Sequence, residues 1–132
     1  MMKIQTAIAA NALFSGLSAV FIAWQGIWLA THIAMPQWLW TLMMWGLGAF
    51  SLQLAAMVVN AQLAKILIKS VILADALWLV IASIALMWFQ GALSVLGIII
   101  VLSVNAVVGA LAVWQFLAWK QTSKILDVAE AT

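Results

Sequence analysis

A single acidic side chain interrupts the apolar bulk of this 132-residue sequence. From Ile4 through Ala64 there is no Lys, Arg, Asp or Glu, and from Ser70 through Trp119 there is one, Asp75. An ionised Asp near the middle of a membrane helix costs about 2.5–3.5 kcal/mol on insertion scales, and less toward the interface. Two arrangements relieve that cost. The acid can stay protonated and donate a hydrogen bond, or it can stay a carboxylate and accept hydrogen bonds from nearby N–H groups. Three roles are open to it: a proton or cation site in a transporter, a polar clasp that fixes the register of neighbouring helices, or a contact with a partner subunit.

The candidate partners lie at similar depth. Counting at ~1.5 Å per residue from the nearest lysine, Asn11 stands ~12 Å from Lys3, Asn60 ~8 Å before Lys65, Asp75 ~9 Å after Lys69 and Gln115 ~8 Å before Lys120. Each apolar stretch therefore offers one carboxyl or carboxamide to a common layer. Asn11, Ser15, Ser18 and Gln25 step by four, three and seven, which is one face of a helix. Gly46, Gln53 and Asn60 step by sevens, and Asn105, Gly109, Ala112 and Gln115 nearly align. Small residues on such stripes let helices approach closely while Ser, Asn and Gln bond across the gap. The stripes are thus expected to face inward, making a polar intramembrane cluster of Asp75, Asn11, Asn60, Gln115 and Ser15. Lys69 is a poor partner for Asp75, since a side chain so close to the membrane edge extends toward water.

Other chemistry is sparse. The absence of cysteine removes disulfides, thiolate metal sites and cysteine nucleophiles. His32 is the sole histidine, too little for a metal or haem site by itself. The serines lack a His–Asp pair, Asp75 lacks a second buried acid, and there is no phosphate-binding or dinucleotide motif. No enzyme activity, cofactor or metal is expected. The seven methionines are scattered, as packing residues are. Of nine tryptophans, Trp28, Trp38, Trp40, Trp88 and Trp119 fall near the ends of the apolar stretches, where aromatic belts form. Trp24, Trp45 and Trp78 lie deeper. They either pack against lipid and neighbouring helices or line a slot for a flat lipophile such as a quinone.

The elements that must position these groups are set by composition. Hydrophobic residues make up 69% and charged residues 6% of the chain, against roughly 25% charged in soluble domains. Runs this long and this free of charge read as membrane helices. The expected architecture is an all-α membrane protein, a single domain over 1–132, with spans at about 4–30, 37–64, 70–89 and 92–119. Pro36 lies in the first connection, Lys65 to Lys69 form the second, Gln90-Gly91 the third, and 120–132 is a short tail able to extend the last helix along the membrane surface. Connections this short demand four antiparallel helices, an up-down-up-down bundle. Lys3, Lys65, Lys69, Lys120 and Lys124 all fall on one side of that arrangement, so the positive-inside rule makes both termini cytoplasmic. The first stretch exceeds the 7–15 apolar residues of a secretory signal and is read as a retained helix. With five lysines, no arginine and no basic face, nucleic acid is not an expected partner.

Ala10-Asn11-Ala12-Leu13-Phe14-Ser15-Gly16-Leu17-Ser18 and Ala74-Asp75-Ala76-Leu77-Trp78 resemble two stretches of a group of small bacterial four-helix membrane proteins. These share an N-A-L-F-S-x-x-S first helix and an A-D-x-x-W third helix. The resemblance implies a bacterial inner-membrane protein in which Asn11, Ser15, Asp75 and Trp78 merit testing, and it brings no activity with it. Such proteins often carry Arg after the second helix; Lys65 and Lys69 stand there in this chain. The sequence as a whole points to a non-enzymatic membrane protein, either an accessory subunit beside a partner membrane protein or a homo-oligomer. The alternatives are a small proton- or cation-coupled transporter using Asp75, and a binder of a lipophilic ligand.

Overall fold

A computed structural model describes the backbone over residues 2–131 and side chains over residues 4–125. The side chains of Lys3, Asp127 and Glu130 lie outside the described residues. Four helices account for nearly all of it: α1 (Met2–His32), α2 (Gln37–Val59), α3 (Ala61–Trp88) and α4 (Val95–Ala131), with a 3-10 turn at Gln90–Ala92. All four are long and apolar enough to cross a membrane. Large apolar side chains such as Ile27, Leu52, Val59 and Val95 are exposed along their length, as lipid contact requires.

The helix boundaries depart from the expected spans at two places. The break between α2 and α3 is one residue, Asn60, and not the stretch 65–69. Asn60 leaves the helical region (φ −129°, ψ 98°), and its side-chain oxygen accepts from the N–H groups of Gln62 and Leu63 at 3.1 and 3.2 Å. Asparagine is among the strongest helix N-caps because it satisfies amides that have no partner within the first turn. Lys65 and Lys69 therefore sit on the first turns of α3, both exposed. The second departure is at the start of α4, which begins at Val95 and not at 92, behind the 3-10 turn; at its far end the tail continues α4 as helix. Within α1, Gln25 departs from helical geometry (φ −115°, ψ 25°) and kinks the helix. Gly26 beside it makes the backbone there easier to deform.

Close packing gathers toward the end that carries Asn60, where Ile4, Ile8, Leu54, Met57, Ile68 and Val71 form a buried cluster. Side chains bonded to backbone fix α1 against α2 there. Gln5 Nε2 donates to the Val58 carbonyl at 2.9 Å, and Ser51 Oγ donates to the Ala12 carbonyl at 2.8 Å. At the opposite end the two connections bond to each other. Ala34 N–H donates to Ala92 O at 3.0 Å, Ser94 N–H donates to His32 O at 2.9 Å, and Ile33 and Leu93 make an isolated β-bridge. Gly97 lets this happen, since a Cβ at that position would overlap the His32 carbonyl oxygen.

Candidate functional site

Asp75 is buried, and it sits in a hydrogen-bonded group drawn from three helices. Asn11 Nδ2 of α1 donates to Asp75 Oδ2 of α3 at 2.9 Å, and Gln115 Nε2 of α4 donates to the same oxygen at 2.8 Å. Asn11 Nδ2 also donates to Gln115 Oε1 at 3.1 Å, which closes a three-membered ring of side chains. Ser15, one turn along α1, donates from Oγ to Asn11 Oδ1 at 3.2 Å and fixes which way that amide points. Asn11, Ser15 and Gln115 are all buried, Gln115 completely. Each group does what its chemistry permits: the amides donate through nitrogen, and one carboxyl oxygen accepts twice.

The local reasons are visible in the chain. Asn11 and Ser15 are separated by one helical turn and share a face. Ala7, one turn before Asn11, is fully buried, and so small a side chain lets the neighbouring helix approach closely enough for short side chains to meet. Gly16, on the adjacent turn, leaves room for Ser51: a Cβ there would stand 2.8 Å from Ser51 Oγ.

Four of the five expected cluster residues are thus brought together, and Asn60 is not. It is exposed and its side-chain oxygen is engaged in capping α3. The depth count failed because it took Lys65 as a loop residue, whereas Lys65 lies inside α3. The α2 stripe also faces the other way. Gly46, Gln53 and Asn60 are exposed, and a Cβ built on Gly46 meets nothing within 4 Å. On α4, Gln115 joins the ring, while Asn105 Oδ1 is buried without a hydrogen-bond partner.

The deeper tryptophans are dispersed. Trp24 is 76% exposed and borders an open groove of about 240 Å³ with Phe21, Gln25 and Trp28, all on α1. Trp45 is 70% exposed on α2, and Trp78 is half-buried with an unpartnered Nε1. A second, shallow recess of only about 10 Å³ is lined by Ile4, Gln5, Ala61, Ala64, Lys65 and Thr122. Neither recess includes a member of the Asp75 ring. Lys69 turns away from Asp75 and holds its Nζ 5.4 Å from the centre of the Trp119 ring, a cation–π distance.

One polar pair was not anticipated from sequence. His32 Nδ1 lies 2.8 Å from Ser94 Oγ, and Trp28 meets the imidazole edge-on at 4.8 Å. Gly97 N–H donates to Ser94 Oγ at 3.1 Å, and the direction of the His32–Ser94 bond follows the imidazole tautomer. Ser94 before the apolar run that starts at Val95 carries a helix N-cap signal; its contact with His32 depends on how the two connections meet. Among the described residues no three His, Cys, Asp or Glu side chains converge as metal ligands. Comparison with known protein families, characterised proteins and solved structures finds no match.

Proposed function

We propose that the chain is a multi-pass, non-enzymatic protein of the bacterial inner membrane that acts as a scaffold, either as an accessory subunit or as a homo-oligomer. Its helices cross up-down-up-down, with both termini and the Asn60 end in the cytoplasm. The exposed positions of Lys65, Lys69, Lys120 and Lys124 support that orientation. Asp75 is the centre of a structural clasp. The observation that carries this reading is the closure of the Asn11–Asp75–Gln115 ring, in which both amide nitrogens and the acceptor oxygen find partners within the protein. A coupling site needs its acid to exchange protons or ions with one side of the membrane and then the other. An acid bonded to α1 and α4 instead holds α3 in register.

The test is proton flux into vesicles that enclose a pH-sensitive dye, under an imposed membrane potential. The clasp reading expects wild-type and Asp75→Asn proteins to leak protons no faster than protein-free vesicles. Wild-type flux that Asp75→Asn abolishes, with insertion intact, would establish the transporter instead.

A further inference from the structure

The α2 stripe has no role in the clasp, and its outward direction has a consequence. Gln5 bonds to Val58 and Ser51 bonds to Ala12, so α2 residues 51–58 run beside α1 residues 5–12. Gln53 is two residues from Ser51, ~3 Å along the helix axis, which sets it at the level of Asn11 and hence of Asp75. Gln53 stands seven residues, ~10 Å, before the end of α2 at Asn60, farther than a glutamine side chain extends. Gln53 is exposed, with no hydrogen-bond partner among the described residues. A primary amide facing lipid at this depth carries two donors and an acceptor with nothing to satisfy them.

The surface around Gln53 admits another helix. Leu42, Gly46, Ala49 and Gln53 step by four, three and four along one exposed face. Gly46 has open space where a side chain would be, so a second backbone can come close, as small residues permit in membrane helix pairs. The partner must offer both an acceptor and a donor at the depth of Gln53. A carboxamide is complementary to itself: across a two-fold axis each Gln53 donates to the other's carbonyl and accepts from its amide. Two-fold pairing also places Gly46 and Ala49 against their own copies.

We infer that the Leu42–Gly46–Ala49–Gln53 face of α2 is the interface of a homodimer, closed by a reciprocal Gln53–Gln53 hydrogen bond within the membrane. This rests on the scaffold reading and selects its homo-oligomeric form.

The chain has no cysteine, so single cysteines report the interface directly. Gly46→Cys and Ala49→Cys are placed in phosphatidylethanolamine–phosphatidylglycerol vesicles and oxidised, with Leu77→Cys and Leu102→Cys, exposed on α3 and α4, as controls. Disulfide-linked dimers are expected several-fold faster at the α2 positions. Energy transfer between labelled copies gives the dimer constant. Gln53→Leu should weaken it about three- to twentyfold, the range of measured membrane hydrogen bonds. Gly46→Leu should abolish the dimer and leave the monomer folded, since nothing in the monomer obstructs the new side chain. Crosslinking at 46 and 49 no faster than at the controls overturns the inference, as does an unchanged dimer constant in Gln53→Leu. Faster crosslinking at Leu77→Cys or Leu102→Cys overturns the α2 interface and leaves the scaffold reading intact. Asp75-dependent proton flux removes the scaffold reading whatever the crosslinks show.

Discussion

Replacing Asp75 by Leu and by Asn separates the acceptor from the charge. In the native ring, Asp75 Oδ2 accepts from Asn11 at 2.9 Å and from Gln115 at 2.8 Å. Asp75→Leu removes both bonds. Asn11 Nδ2 keeps its bond to Gln115 Oε1, but Gln115 Nε2 is left without an acceptor in a completely buried side chain. A buried orphan of this kind costs about 1–3 kcal/mol, and the lost Asn11 bond adds about 0.6 kcal/mol, the average for membrane helices. The expected loss is therefore about 2–4 kcal/mol. Asp75→Asn keeps a carbonyl oxygen of the same size in the same place, able to accept from both amides, so its loss should stay within about 1 kcal/mol. Reversible unfolding in mixed micelles, followed by tryptophan fluorescence, measures both. If Asn proves as damaging as Leu, the charge rather than the acceptor holds the ring, and the clasp argument is wrong. If Leu costs nothing, the ring contributes no stability at all.

Three further substitutions probe the clasp and the parts around it. Gly97→Ala drives a methyl group into the His32 carbonyl, so the connections should separate; the amides of Ala34 and Ser94 should then exchange hydrogen faster, while those of the α1–α2 contact near Ser51 are unchanged. Asn105→Leu, measured in the unfolding assay, should be neutral or stabilising because Asn105 Oδ1 is already buried without a partner. Gln115→Leu, by contrast, strips Asn11 and Asp75 of a partner each and should cost about 1–3 kcal/mol.

Much of the architecture is legible from where charge is missing, because a bilayer tolerates few arrangements of backbone polar groups. The same scarcity singles out Asp75, and the four-residue step from Asn11 to Ser15 places those two on one face. Gln115 follows from its depth and from the stripe it shares with Gly109 and Ala112. The errors have a common source. Lysines were read as marks of a connection, yet a long lysine side chain can sit on a helix and still reach water, so Lys65 and Lys69 hid the true break. Asn60 then passed for a buried partner when its local competence as an N-cap had already claimed it. The heptad step of Gly46, Gln53 and Asn60 identifies a shared face but carries no sign of whether that face looks into the bundle or out. Helices surrounded by lipid lack the inside–outside contrast in polarity that makes direction readable in soluble proteins.

That ambiguity bears on how the four helices divide their work. The carboxyl–amide ring binds α1, α3 and α4 to one another, and the paired connections bind the other end through backbone groups and the His32–Ser94 contact. Helix α2 contributes no side chain to the ring; its polar attachments to α1 are the bonds at Gln5 and Ser51. A helix held on one side by apolar packing and two side-chain bonds has its opposite side available. On that side stand an unfilled glycine and an unpaired carboxamide at the level of the ring. Within the bundle, amides at this depth are satisfied by a carboxyl group; outside it, the Gln53 of another copy stands at the same depth in equal number and offers both a donor and an acceptor. The clasp and the α2 face therefore apply one rule at one depth, once within the chain and once between chains: in lipid, an amide is stable where another polar group meets it.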